Sequence, residues 1–504
     1  MTVEATFDQF CGFVRETALL RSVQEVLEWD ERTQLPVSAG EHRAEQITYL
    51  AGMIHRRQTD SRLHDWLVEL GDSSLAEDRH SDSATTIRQV RREYDKLVRV
   101  PQTLVEELSR VSVLGQQAWV RARKDDNFQI LQPLLEQMIK LKQEQAAAVG
   151  FSECAYDPLL DDYEPGTSTA HVAQVLEALR QGLVPLVGAI ADSGRSPNLQ
   201  VVRNKYPIGD QEDFGRQAAE AIGFDFDRGR LDVTQHPFCC GLGPNDCRIT
   251  TRYDEQFLPS ALFSILHEAG HGIYEQGLRR DQYGLPPGTF VSLGIHESQS
   301  RLWENLVGRS RAFWHYFYPL AQQRFASALG QVPLDEFYFA INDVRSSLIR
   351  VEADEATYNL HIIIRFELEQ ALISGDLQVV DLPGAWSDKY REYLGIASDN
   401  DADGVLQDIH WSAALIGYFP TYSLGNLYAS QFFSQAEQDI GPLAEQFQRG
   451  EFRPLLEWLQ TKIHHPGQCY TAAELVEQVT GQPLSHEPAL GYLRAKYEPL
   501  YGLD

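Results

Sequence analysis

Apolar residues recur at every third or fourth position through much of the N-terminal part of the chain. The clearest windows cover residues 7–29 and 103–124. This spacing is typical of amphipathic helices, whereas half-buried strands alternate at every second position. Prolines punctuate the pattern, but no linker rich in Pro, Gly and Ser divides the chain. The pattern therefore predicts a mainly α protein without independent domains.

One region departs from this helical pattern. Residues 230–238 and 247–255 are rich in β-branched and aromatic side chains, and the turn-rich sequence CCGLGPND (239–246) lies between them. These features predict two strands joined by a turn. The edge of such a small sheet could pair with an extended peptide.

The sequence His-Glu-Ala-Gly-His follows directly, inside the apolar stretch 261–278. Pro259 and Ser260 are typical of a helix start, since Ser can cap the exposed N–H groups there. On a helix, His267 and His271 are four residues apart and share a face, so both imidazoles can bind one metal ion. Glu268 lies beside the first histidine, where it can accept a proton from a water at the metal.

Two glycines within this segment, Gly270 and Gly272, weaken the helix propensity. We expect them to leave space near the metal through which a peptide backbone can approach.

A third ligand is expected from GIHESQSRLWENL (294–306). Glu297 lies 26 residues after His271 (297 − 271), and a Gly/Pro-rich loop at 284–290 allows a second helix to fold back. Two histidines and one glutamate leave the fourth zinc position open, which is the catalytic pattern. The alternative is a solvated Glu297 that pairs with Arg301 at i+4.

These motifs resemble the carboxypeptidase Taq family of zinc metallocarboxypeptidases. Four further motifs of that family have counterparts here: HPF (His236, Pro237, Phe238), DxRxT (Asp246, Arg248, Thr250), IRxxAD (Ile349, Arg350, Ala353, Asp354) and GxxQDxHW (Gly404, Gln407, Asp408, His410, Trp411). Blocks at 29–46, 156–166, 417–426 and 492–503 also read like this family, so the resemblance spans nearly the whole chain.

The resemblance implies a large helical body that is split by a deep substrate channel, with a small β-sheet beside the zinc helix, as in neurolysin-like zincins. We expect one metallocarboxypeptidase domain over 1–504. Its mainly helical lobe and channel cover would take up 1–200, and the catalytic part with the zinc site 201–504. The resemblance also implies a homodimer, and Co²⁺ as a possible substitute for Zn²⁺.

Catalytic roles follow from the same motifs. Glu268 is expected to act as the general base. In the family pattern, the oxyanion receives hydrogen bonds from the histidine of GxxQDxHW and a following tyrosine, here His410 and Tyr422. The alternative for His410 is a core histidine packed beside Trp411.

An exopeptidase must also bind the free α-carboxylate of its substrate, for which the planar fork of Arg is well suited. Arg350 is the first candidate and Arg248 the second, while His236 is expected to shape the pocket. The alternative for Arg350 is a helix-surface pair with Asp354, which would be of little energetic value. If Arg350 has both roles, Asp354 is expected to orient it.

The formal net charge of −28 argues against nucleic-acid and anionic-membrane partners, since both require basic surface. The start of the chain has no signal-peptide pattern, and no apolar run approaches the roughly 18 residues of a membrane span. Six cysteines without CxxC spacing predict free thiols in a reducing cytoplasm.

The sequence thus predicts a cytoplasmic zinc carboxypeptidase, a hydrolase that removes C-terminal residues from peptides with broad specificity. Two alternatives stay open at this point: a zinc oligoendopeptidase on the same scaffold, and a non-catalytic peptide-binding protein.

Overall fold

Helices account for most of the chain in the computed structural model, which describes residues 2–503. This confirms the mainly α prediction. The α-helices are Val3–Thr33, Gly40–Gln58, Ser61–Gly71, Asp82–Arg99, Gln102–Lys124, Gln132–Val149, Asp157–Leu160, Thr169–Asp192, Ile208–Ile222, Leu258–Gly277, Leu293–Arg301, Arg311–Arg324, Ala326–Leu329, Leu334–Ile341, Tyr358–Ser374, Leu382–Leu394, Pro420–Ile440, Leu443–Gln448, Arg453–Leu459, Ala472–Thr480 and Glu487–Tyr501.

The first predicted window, 7–29, falls inside the helix Val3–Thr33. Phe10, Phe13 and Thr17 are buried at spacings of three and four, which explains the apolar periodicity. None of the helices among residues 2–503 is long and apolar enough to span a membrane.

The described residues group into two compact units, each assembled from three stretches of chain. The first unit comprises 2–98, 198–341 and 432–480, and the second comprises 99–197, 342–431 and 481–503. The predicted single domain over 1–504, with its division near residue 200, stays a prediction.

A three-stranded sheet lies in the first unit, with strands β1 (Gly229–Val233), β2 (Cys239–Gly243) and β3 (Asp246–Thr251). The central strand is β3, which pairs parallel with β1 and antiparallel with β2. The prediction of a single strand over 230–238 and a turn over 239–246 was therefore partly wrong. The first strand ends at Val233, and the Gly-rich CCGLG segment forms a strand of its own.

The turn itself is short. It occupies the two residues between β2 and β3, where Asn245 has a φ of 67°. Asn tolerates this left-handed conformation better than most side chains, so two residues suffice to reverse the chain. Pairing with β3 thus overrides the low strand propensity of the glycines.

All six cysteines are free thiols. Cys239 and Cys247 lie on neighbouring strands of the sheet, with their sulfurs 3.7 Å apart.

Candidate metal centre

The HEAGH helix (Leu258–Gly277) is buried along most of its length. It begins after Phe257, and Pro259 occupies its first turn, where proline is favoured because its missing N–H needs no partner. Ser260 lies inside the helix, and no side chain caps the helix start, so the predicted capping role of Ser260 was wrong.

The HESQSR helix (Leu293–Arg301) packs against the HEAGH helix backbone to backbone. Ser292 caps it, since its Oγ accepts a hydrogen bond of 3.1 Å from the amide of Ile295. A Cβ at Gly270 would lie 2.6 Å from the carbonyl oxygen of Gln299 and 2.6 Å from Cα of Ser300.

Gly272 serves a similar purpose on the side of the sheet. A Cβ there would lie 2.5 Å from the ring of Phe224 and 3.2 Å from Ile249 on β3. The absence of a side chain at Gly270 lets the HESQSR helix come close. At Gly272 it does the same for Phe224 and for Ile249 of the sheet. As predicted, a peptide backbone does come close at Gly270, but it is the protein's own backbone at Gln299 and Ser300.

This packing brings three potential ligands together. One nitrogen of His267, one of His271 and one oxygen of Glu297 all lie within 4.8 Å of one another. Glu297 Oε2 is 3.8 Å from Nε2 of His267 and 3.5 Å from Nε2 of His271. Tetrahedral bonds of about 2.1 Å place ligand atoms about 3.4 Å apart, so the donor set fits a small divalent ion. We call these three residues the ligand triad.

The electrostatics of the triad suit a cation. Burial raises the pKa of Glu297, but the charges of Arg301 and His267 lower it further, so that it lies well below its ordinary value. Glu297 is therefore an anion, 7% exposed, and Arg301 Nε donates to its Oε1 at 2.7 Å. The alternative pair between Glu297 and Arg301 does form. The Glu297 carboxylate is nevertheless buried, not solvated, and it also faces His267 and His271.

Burial lowers the pKa of His271 to about 3, and the neighbouring His296 acts in the same direction. The ring is therefore neutral at pH 7 and has a lone pair to offer. Burial also raises the pKa of Glu268 to about 7. A carboxyl with such a pKa can both accept and release a proton near neutral pH.

Behind His267 lies a carboxylate that the sequence analysis missed. Glu304 Oε2 is 2.9 Å from Nδ1 of His267, and it belongs to a π-helical segment, Leu302–Val307, that continues the HESQSR helix. Arg301 and Arg309 approach the same carboxylate at 3.4 and 3.5 Å. Such a partner fixes the orientation of a ligating histidine. The visible signal was a glutamate in the largely apolar stretch LWENLV.

Arg350 lies in the second unit, in a short 3₁₀ turn (Arg350–Glu352), and is 6% exposed. Asp408 Oδ1 accepts hydrogen bonds from its Nε at 3.0 Å and its Nη2 at 2.8 Å. The alternative of a helix-surface pair with Asp354, and the idea that Asp354 orients Arg350, were both wrong. Asp354 instead accepts hydrogen bonds from Thr357 and its neighbours.

Asp408 also binds a second arginine that the sequence analysis did not single out. Its Oδ2 accepts a hydrogen bond of 2.6 Å from Nε of Arg365, a side chain that is fully buried. Two guanidinium groups thus share one carboxylate. Nη2 of Arg365 is buried without a hydrogen-bond partner among the described residues. This arginine cluster, Arg350, Arg365 and Asp408, carries a net charge of one positive unit.

His410 follows the cluster by two residues, and its Nδ1 lies 3.8 Å from Oδ1 of Asp408. Burial lowers the pKa of His410 to about 4, so the ring is neutral at pH 7. The ring lies against Phe419, with centroids 4.5 Å apart, and 6.4 Å from the ring of Tyr422. The guanidinium of Arg350 lies over the Tyr422 ring at 5.3 Å.

The two remaining candidates lie in the first unit. Arg248, on β3, forms a bidentate pair with Asp246 at 2.9 Å, and its guanidinium lies 4.3 Å from the ring centre of Trp29. His236 is exposed in the segment between β1 and β2. Neither side chain forms a hydrogen bond or an ion pair with the described residues of the ligand triad.

Comparison with known proteins gives full-length matches. The family model described as carboxypeptidase Taq (M32) metallopeptidase matches residues 9–497. The chain is 46% identical over 511 residues to thermostable carboxypeptidase 1 of Thermus thermophilus, covering 100% of both chains. It is 35% identical to carboxypeptidase 1 of Bacillus subtilis, covering 99% of this chain and 100% of the relative.

The crystal structure of the M32 carboxypeptidase from Deinococcus radiodurans R1 matches with a TM-score of 0.95 and 39% identity, over 99% of this chain and 100% of that chain. Fold, sequence and a donor set suited to a divalent ion therefore agree. The chain belongs to the carboxypeptidase Taq family of metallopeptidases, and it is a metal-dependent carboxypeptidase that hydrolyses peptides.

Proposed function

We propose that the metal is Zn²⁺, that His267, His271 and Glu297 hold it, and that Co²⁺ can replace it. The observation that carries this proposal is the convergence of three ligand atoms within 4.8 Å. Two imidazole nitrogens and one carboxylate suit zinc better than the harder calcium or magnesium ions, which prefer all-oxygen sites.

Zinc at this position would polarise the scissile carbonyl group and acidify a water molecule. Glu268 is the proposed general base, because it adjoins His267 and its pKa is raised to about 7. The Glu268 carboxylate takes a proton from the attacking water. It then passes this proton to the amine of the leaving amino acid.

Recognition of the chain end is assigned first to Arg350. The net positive charge of the arginine cluster supports this role, because a buried uncompensated cation is stabilised by an anion such as an α-carboxylate. Asp408 engages Nε and Nη2 of Arg350, and Nη1 contacts the hydroxyl of Tyr358 at 3.2 Å. Arg248 is the second candidate for this role, and His236 is proposed to shape the pocket for the last residues.

Hydrogen bonds to the tetrahedral oxyanion are assigned to His410 and Tyr422, by analogy with the family motif. A neutral imidazole carries one N–H donor, and a pKa of about 4 keeps His410 neutral at working pH. Oxyanion donors of this kind are typically worth about 10²–10³ in kcat.

The wider proposal is a cytoplasmic homodimer that removes C-terminal residues with broad specificity. Its substrates are peptides with a free C-terminus, and nucleic acids and membranes are not expected partners. The acidic net charge of −28 supports the last point, and family resemblance supports the dimer.

Metal analysis of His267→Ala tests the ligand assignment. The variant should lose tight zinc binding and peptidase activity together, whereas His315→Ala, a change at an exposed histidine of the same unit, should lose neither. Full zinc occupancy in His267→Ala would overturn the assignment. A panel of free-acid peptides, with and without a chelator, then reports which terminal residues are released.

A further inference from the structure

The two histidines of the ligand triad are held from behind in different ways. Nδ1 of His267 meets the carboxylate of Glu304 directly. Nδ1 of His271 instead lies 2.6 Å from Nδ1 of His296, a third histidine, and Nε2 of His296 lies 2.8 Å from Oε1 of Glu275. A further imidazole ring thus lies between the second histidine and the carboxylate of Glu275.

Only one arrangement of protons satisfies this chain while His271 acts as a ligand. Nε2 of His271 faces Glu297 and must present a lone pair, so its Nδ1 carries the proton. That proton is donated to Nδ1 of His296, which must then be unprotonated. The second nitrogen of His296 therefore carries a proton and donates it to Glu275.

The ring of His296 is tightly confined. Its centroid lies 4.6 Å from the His271 ring, 5.3 Å from the Tyr274 ring and 4.9 Å from the Phe290 ring. His296 also precedes Glu297 in the HESQSR helix, so one helix supplies both a ligand and the support of another ligand.

Glu275 is positioned by the sheet. It follows His271 by four residues on the HEAGH helix and thus shares its face. On its other side lies Gly241 of β2, where a Cβ would come within 2.4 Å of Oε2 and 2.8 Å of Cδ of Glu275. A glycine at this point of β2 leaves just enough room for the carboxylate to reach His296.

We propose that His296 and Glu275 are positioning residues that hold His271 in its metal-binding tautomer, and that Gly241 of strand β2 sets the position of Glu275. The proposal rests on the ligand triad of the proposed function. It links the sheet to the metal through Gly241 and three side chains in succession, Glu275, His296 and His271. We call these three side chains the relay.

Replacement of His296 tests the relay, with zinc affinity and zinc dissociation measured by competition with a chromophoric chelator. His296→Leu removes the acceptor for His271 and should weaken zinc binding roughly 10–100-fold. His296→Asn keeps a carbonyl oxygen near the position of Nδ1 and should recover most of this loss. Glu275→Gln, which keeps an acceptor oxygen but loses the charge, should fall between wild type and His296→Leu.

Gly241→Ala tests the role of the sheet without touching the relay itself. The new methyl group should displace the Glu275 carboxylate and weaken zinc binding several-fold. The matched control is Gly188→Ala, since a Cβ at Gly188 meets nothing within 4 Å. Circular dichroism spectra should be unchanged in both variants, and the Co²⁺-substituted Gly241→Ala protein should show an altered visible absorption spectrum.

The outcomes separate this inference from the proposal on which it rests. If His271→Ala binds zinc normally, the ligand triad itself is wrong. If His271→Ala loses zinc while His296→Leu and Gly241→Ala keep wild-type affinity, the triad stands and the relay is overturned. Equal loss in His296→Leu and His296→Asn would also contradict the relay, because the retained acceptor should help.

Discussion

The ligand triad in the first unit and the arginine cluster in the second are both buried, but their charges have opposite signs. Carboxyl groups outnumber guanidinium groups in and around the triad: Glu268, Glu275, Glu297 and Glu304 stand against Arg301 and Arg309. In the arginine cluster, two guanidinium groups face one carboxylate. Buried charge is costly unless it is compensated. Each imbalance therefore favours a ligand of the opposite charge, a cation for the first region and an anion for the second.

The largest effect is expected in the first region when the proposed general base is removed and the metal site is kept. Glu268→Gln should retain zinc, because Glu268 is not a proposed ligand, and should lower kcat by about 10²–10⁴-fold. Metal content and steady-state kinetics on the same sample check this. A variant with even a tenth of wild-type activity would show that Glu268 is not the base.

Loss of Asp408, the carboxylate of the arginine cluster, should raise the net charge of the cluster from one positive unit to two. Asp408→Ala leaves Arg350 and Arg365 buried without a counter-ion, and breaking such a pair typically costs about 3–5 kcal/mol. The midpoint of urea unfolding should fall accordingly, and added carboxylate ions such as acetate should restore part of the loss. An unchanged midpoint would indicate that the two arginines are compensated elsewhere.

Removing one cation from the cluster should instead abolish its attraction for an anion. Arg350→Ala should reduce kcat/KM on free-acid peptides about 10–150-fold, the equivalent of roughly 1.5–3 kcal/mol for a charge-assisted bond, with zinc content unchanged. Discrimination against amidated peptides should also weaken. If Arg350→Ala still prefers free-acid over amidated peptides, the same assay on Arg248→Ala tests whether Arg248 binds the α-carboxylate instead.

The smallest effect concerns a carboxyl group that does not compensate the arginine cluster. Glu369 accepts hydrogen bonds from Tyr156 at 2.5 Å and Trp411 at 2.7 Å, yet burial raises its pKa to about 7. Since the folded-state pKa lies above the unfolded value of 4.5, the ionised form is disfavoured in the fold. Its stabilising contribution is full below pH 4.5 and is lost as the pH rises towards and through 7.

This contribution amounts to about 2 kcal/mol between pH 5.5 and pH 7.5. Urea unfolding at the two pH values should therefore show wild type losing stability with rising pH by about this amount relative to Glu369→Gln, which cannot ionise. An identical pH dependence in both proteins would show that Glu369 has an ordinary pKa.

The sequence predicted the parts of the molecule in which chemistry follows from local spacing. Helical periodicity alone was enough to predict the helix with its two histidines at i and i+4. To predict that Glu297 approaches them, one chain reversal between the two helices had to be assumed as well. The partners Glu304 and His296 could not be assigned, because a side chain behind a ligand has no fixed spacing from it. Arg365 and Asp408 are 43 residues apart (408 − 365), and tertiary packing alone pairs them.

Strand β2 shows a different limit. Its glycines lower strand propensity, so local rules predicted a turn, and pairing with β3 overrode them. The roles of the catalytic and substrate-binding residues remain predictions that the experiments above address.

The close approach at Gly270 has a consequence for how the metal site responds to heat and to mutation. Main chain meets main chain there, so at this point the distance between the HEAGH and HESQSR helices does not depend on side-chain rotamers. Close-packed interiors are also nearly incompressible. The spacing of the proposed ligands should therefore stay constant while the surrounding side chains gain mobility on warming or diverge between relatives.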